Sequence, residues 1–106
     1  MQQSGVPTKQ ITYDYTSGTV ATNAYTQILA AASNGNDTSW VDIFDSSGSA
    51  IILAIGASGS EQNILYIPPG GWDNRRALVI SKGVRLSIKA LDTAASAGRL
   101  IINCFT

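Results

Sequence analysis

Catalysis in a short chain starts from its nucleophiles, bases and metal ligands, and here that inventory is thin. The sequence holds no histidine and a single cysteine, Cys104. Without imidazole there is no Ser-His-Asp or Cys-His activation, and the commonest transition-metal ligand is missing. One cysteine and no histidine cannot assemble a zinc site. What remains is seven carboxylates: Asp14, Asp37, Asp42, Asp45, Glu61, Asp73 and Asp92. A pair of acids can hydrolyse a glycoside without histidine, but nearly all of these are expected at strand ends and in turns, where Asp side chains bond nearby backbone N–H groups. Asn34, Asn36 and Asp37 only faintly suggest the clustered oxygens of a calcium loop. The expectation is a protein that is no enzyme and carries neither cofactor nor metal.

Chemistry by contact is better represented. The stretch from Gly70 to Arg76 sets Trp72 beside Asp73, Asn74, Arg75 and Arg76. Trp and Arg are enriched where one protein anchors on another, and an indole also stacks on sugar rings. Trp72 either presents itself in this way or folds back to cap one end of the domain, since indoles are mostly buried on average. Arg75 and Arg76 are the only adjacent basic pair, too few to neutralise a run of phosphates.

These residues need a scaffold, and the pattern that supplies it alternates with period two. From Gly83 to Leu91, Val84, Leu86, Ile88 and Ala90 share one face, with Arg85, Ser87 and Lys89 on the other. Ile11, Tyr13 and Tyr15 line up in the same manner, with the β-branched and aromatic content that suits a pleated surface. Trp40 to Asp45 and Ala50 to Ile55 flank Ser46, Ser47 and Gly48, which predicts a β-hairpin. The second of these runs is apolar on both faces. Either it is covered on both sides or its outer face, carrying Ile52, meets a partner. Asn63 to Ile67 must end at Pro68 and Pro69, which supply no ladder donor. Arg76 to Ile80 and Arg99 to Phe105 complete the set. Thr19 to Ala32 mixes helix-tolerant and strand-favouring residues and is assigned as a kinked strand. Ser33 to Thr38 reads as a loop carrying Asn34, Gly35, Asn36 and Asp37, turn residues tolerant of positive φ. Trp40 is assigned to the core, and Cys104, alternating with Leu100 and Ile102, to an inert core thiol. About eight short strands at roughly 8–12-residue intervals predict an all-β, antiparallel sandwich of jelly-roll type in one domain. That domain covers residues 9–106, preceded by a flexible arm from Met1 to Thr8 that includes Pro7.

Composition sets the surroundings. Of 106 residues, 44% are hydrophobic and only 13% charged, and seven basic residues balance seven acidic ones. Nucleic acid is therefore not an expected partner. Solubility as a free monomer generally favours a net charge away from zero, so the composition suits life in an assembly, although many neutral small domains are soluble monomers. No disulfide can form within the chain, Met1 to Gln10 does not resemble a signal peptide, and the apolar run Ala50 to Ile55 is too short to cross a bilayer. Folding in a reducing cytoplasm, without membrane insertion, is expected.

Four segments carry a resemblance: Asp42-Ile43-Phe44-Asp45-Ser46-Ser47-Gly48, Leu53-Ala54-Ile55-Gly56-Ala57, Tyr66-Ile67-Pro68-Pro69-Gly70-Gly71 and Gly83-Val84-Arg85-Leu86-Ser87-Ile88-Lys89-Ala90. Between Val41 and Phe105 the chain resembles small virion structural proteins of tailed bacteriophages. The resemblance implies a capsid decoration or cement protein, bridging major capsid subunits in the virion as a dimer or trimer. Its arm would become ordered over a neighbour. A tail or fibre subunit is the alternative within that company. A carbohydrate-binding module using Trp72 with Asn74 or Arg75 is the alternative outside it. Contact residues on these readings are Trp72, Asn74, Arg75, Arg76, Ile52 and Pro7.

Overall fold

A computed structural model of the chain describes residues 7–69 and 74–106. Eight strands follow in order: β1 (Lys9–Asp14), β2 (Thr26–Leu29), β3 (Thr38–Asp45), β4 (Ile51–Ile55), β5 (Gln62–Ile67), β6 (Asn74–Ile80), β7 (Leu86–Ala90) and β8 (Arg99–Phe105). The first sheet has the order β1-β8-β3-β6 and the second β2-β7-β4-β5. Every pairing is antiparallel. β1 pairs with β8, β2 with β7, β3 with β6 and β4 with β5. Those nested pairs describe a ribbon wound into two facing sheets, which is the jelly roll.

The core follows from the alternation. Ile11, Val41, Ile43, Leu100, Ile102 and Cys104 point inward from the first sheet and meet Ile51, Leu53, Ile67, Leu86, Ile88 and Ala90 from the second, all nearly or fully buried. A slip of one residue would turn each of these rows to water, which is what fixes the register.

Four expectations are corrected. β3 and β4 do not form a hairpin: β3 pairs with β6 and β8, β4 with β5 and β7, and residues 46–50 carry the chain from one sheet to the other. The turn-like Ser46-Ser47-Gly48 makes a crossover because Ser46 is claimed by β8. Its N–H donates to the Arg99 carbonyl at 3.0 Å and its Oγ accepts from Arg99 N–H at 2.9 Å. Gly98, at φ +85°, lies so close to the Ser46 carbonyl that a Cβ there would collide with it.

Thr19 to Ala32 is not one kinked strand. Only Thr26–Leu29 is a strand, Val20 makes an isolated bridge to Ala95, and Ala31–Ser33 is a turn of 3-10 helix. Helix-tolerant alanines after Leu29 win once no partner strand is available there. Trp40 is not core. It is half-buried, and its register partner Phe105 places it on the outer face of β3.

Asn34 is no positive-φ turn residue either; its φ is −94° and it is buried. Its Oδ1 accepts from Lys9 Nζ on β1, its Nδ2 donates to the carbonyls of Ser81 (3.1 Å) and Val84 (3.0 Å), and its own carbonyl accepts from Gly83 N–H at 2.7 Å. One side chain thus ties the β2–β3 connection to β1 and to the β6–β7 turn. Lys82 N–H adds a bond to Asp37 Oδ1 at 2.9 Å. Truncating Asn34 strands two carbonyls at once and leaves the Lys9 ammonium only its 3.4 Å bond to the Asn36 carbonyl. Asn34→Ala is expected to cost about 2–4 kcal/mol, read as a lower urea midpoint with an unchanged slope.

Candidate functional site

The acids were expected away from the core, and Asp45 departs from that. It is fully buried at the end of β3, where the chain leaves for the other sheet. Ser47 Oγ donates to its Oδ2 at 2.9 Å and Ser47 N–H reaches Oδ1 at 3.4 Å. Burial nevertheless dominates and raises its pKa above the ordinary carboxylate value, against the pull of those Ser47 bonds. The neighbouring Tyr15 hydroxyl is buried and, among the described residues, makes no hydrogen bond of good geometry. Burial first, and then the Asp45 charge, push that phenol well above its usual range. Cys104 is fully buried and burial raises its pKa as well, so the thiol stays protonated and unreactive. Among the described residues, no three of His, Cys, Asp and Glu gather closely enough to hold a metal ion.

Surface chemistry falls on the two outer faces. On the first sheet the registers set out three rows. Thr12, Ile101 and Phe44 lie side by side; Gln10, Asn103, Asp42 and Arg75 form the next; Phe105, Trp40 and Ala77 the third. Phe44 is 44% exposed although its strand neighbours Ile43 and Asp45 are buried. A polar row, with Gln10 Nε2 bonded to Asn103 Oδ1 at 2.8 Å, therefore runs between two apolar ones. β6 is the edge of this sheet. A bulge there, between Ala77 and Ile80, leaves Val79 81% exposed.

The second sheet is built differently. Lys89, Ile52 and Tyr66 lie side by side across its outer face, and Gln27, Ser87, Ala54 and Asn63 form the adjacent row. Ser87 and Ala54 are fully buried although they point outward. Tyr25, just before β2, reaches across this sheet. Its hydroxyl donates to Asn63 Oδ1 on β5 at 2.7 Å, and Lys89 Nζ stands 4.5 Å from its ring centroid. Tyr25 therefore spans from the β2 side of the sheet to β5, passing over β7 and β4 beside the small residues Ser87 and Ala54. Beyond the row, a β-bulge at Ile64 opens a shallow depression of about 310 Å³ lined by Ile52, Asn63, Ile64, Leu65 and Tyr66. At the end of this sheet Arg85 is clamped. It bonds Gln27 Oε1, the Gly56 carbonyl and, at 3.1 Å, Glu61 Oε2.

Of the contact residues expected from sequence, Ile52 and Arg75 fall on opposite outer faces, Ile52 half-buried and Arg75 exposed directly across from Asp42. Arg76 is exposed on edge strand β6, and Pro7 is half-buried just before Thr8, whose N–H bonds the Cys104 carbonyl at 2.8 Å. Trp72 lies outside the described residues, as does Met1 to Val6 of the expected arm; Asn74 opens β6, its side chain likewise undescribed. Phe44, Tyr25, Tyr66 and Lys89 were missed. The alternation around Phe44 and Tyr66 marked them as outward, and outward aromatics were the available signal.

Asp45 supplies a pH test. With its folded pKa above the unfolded one, its contribution to stability is complete below the unfolded value near 3.8 and is lost as pH rises through the folded pKa. Asp14 and Glu61 act oppositely. Both are lowered, Asp14 chiefly by the Thr16 hydroxyl and Glu61 by a backbone N–H, so their contribution fades as pH falls through their folded values. Asp45→Asn should melt higher than the parent at pH 7 and lose that advantage at pH 3 in a calorimetric pH series.

Compared with known proteins, the chain matches no family model, no curated protein and no solved structure.

Proposed function

We propose that this domain is a non-enzymatic virion structural protein, a decoration or cement protein that docks on major capsid subunits and braces them. The reading is carried by the outer face of the first sheet. Phe44, Ile101 and Trp40 flank a polar row that ends in Asp42 and Arg75, with Phe105 buried beside Trp40. Aromatic groups with an arginine and few charges make up the composition of a protein-binding surface, and a face on a rigid sheet loses little entropy when it docks. The sequence supports the same reading, with its zero net charge, lack of histidine and resemblance to phage virion proteins between Val41 and Phe105. As a dimer or trimer the domain would add buried apolar area to a formed shell, so that the shell resists the pressure of its packaged genome. On this reading the protein works in the virion after folding in the host cytoplasm, and neither nucleic acid nor a membrane is its partner.

Virions lacking the protein should release their genome at a lower temperature, and adding back the purified protein should restore the parental value. Phe44→Ser removes a half-exposed ring without opening the core. Truncating an anchor of this kind typically costs about 2 kcal/mol, roughly a thirtyfold loss of affinity for depleted virions. Unchanged heat release from depleted virions would count against the brace, and unchanged binding by Phe44→Ser against this face.

A further inference from the structure

The second sheet faces away from the first, and its outer surface has an arrangement of its own. Tyr66 is 50% exposed and sits on a strand, so its ring is presented by a rigid support. Ile52 is its direct neighbour on β4, and Lys89 is the neighbour of Ile52 on β7. Strands are about 4.8 Å apart, which puts Tyr66 and Lys89 about 10 Å apart with an apolar floor between them.

The polar groups around this floor are donors with spare capacity. Tyr25 satisfies Asn63 Oδ1, which aims the amide, and among the described residues Nδ2 makes no hydrogen bond. Lys89 Nζ rests over the Tyr25 ring and, among the described residues, has no carboxylate partner. Arg85, at the sheet's end, is neutralised by Glu61. The net charge of the face, among the described residues, is therefore that of Lys89.

We propose that this face binds a carboxylated sugar unit of a glycan. The apolar side of the pyranose stacks on Tyr66 and Ile52, its carboxylate faces Lys89 Nζ, and a ring or hydroxyl oxygen accepts from Asn63 Nδ2. The depression of about 310 Å³ beside Tyr66 is at the lower end of small-ligand sites, which suits one or two sugar rings better than a folded partner. A nucleic-acid strand could also stack on Tyr66, but one cation leaves its phosphates uncompensated. The shell-binding face lies on the other sheet, so failure of either proposal leaves the other standing.

The test uses the full chain, free in solution, with a galacturonic acid trisaccharide as probe and its methyl ester as the neutral control, both followed by NMR titration and calorimetry. Binding of the acid with a clear preference over the ester is expected, with shifts confined to Ile52, Asn63, Tyr66 and Lys89. Lys89→Gln should weaken the acid about tenfold or more, the worth of a charge-assisted hydrogen bond, and bring it level with the ester. Tyr66→Ala should abolish both. Each substitution is on the surface, and an unchanged circular dichroism spectrum verifies the fold. No saturable binding up to about 10 mM, equal affinity for acid and ester, or an unaffected Lys89→Gln would overturn the proposal.

Discussion

The nested pairing obliges the chain to change sheets at nearly every connection. Only β4 and β5 are neighbours both in sequence and within one sheet; the other consecutive strands lie in opposite sheets. Each such connection must bridge the gap between sheets packed about 10 Å apart while satisfying its own backbone groups. The connections therefore hold the sandwich together, and the polar side chains inside them carry weight that surface turns rarely do. Asn34 joins three segments at one end. At the other, Tyr15 N–H bonds the Gly98 carbonyl, Ser46 clasps Arg99, and Val20 and Ala95 exchange backbone bonds. Most stabilising contacts are long-range in sequence, a topology in which loop-closure entropy is spent before pairing rewards it.

This constraint explains which parts of the structure could be read from the sequence. Alternation tells which residues of a strand share a face, so the inward rows of β1, β7 and β8 were recovered residue by residue, and the strand count led to the jelly roll. Alternation does not tell which strand is the neighbour. Ser46-Ser47-Gly48 has hairpin chemistry, yet what decides its path is Arg99, more than fifty positions further along the chain. Asn34 followed by glycine looks like a turn, and the groups that bury it come from Lys9, Ser81 and Val84. Asp45 ends a strand, the usual place for an exposed cap, and is buried because the chain folds over it there. Distance along the chain hid the candidate sites in the same way. Ile52 was recognised as outward-facing, but the Tyr25 crossing and the Lys89 neighbour depend on a register no local window contains.

The apolar run of β4 shows how packing, rather than hydropathy alone, sets the use of a face. A run such as Ile51-Ile52-Leu53-Ala54-Ile55 suggests a strand buried on both sides. Inward, Ile51 and Leu53 are fully buried. Outward, Ala54 is fully buried on the face that Tyr25 crosses to reach Asn63, and Ile52 is half-buried beside Tyr66. One strand therefore serves the core, the crossing of Tyr25 and an open floor.

That crossing has a cost and a consequence. Ser87 Oγ, beside the Tyr25 path, is buried and, among the described residues, has no hydrogen-bond partner, a loss of about 1–3 kcal/mol by the usual measure for an unpaired buried group. A bulkier side chain at Ser87 or Ala54 would crowd the path by which Tyr25 reaches Asn63. With that path blocked, Tyr25 Oη could not hold Asn63, and Lys89 would lose the aromatic face beneath its ammonium. The small residues Ser87 and Ala54 thus set the geometry of the groups beside them. The surface stays flat because two positions in the middle of the sheet are nearly empty of side chain, and its donors point outward because a single phenol spans that space.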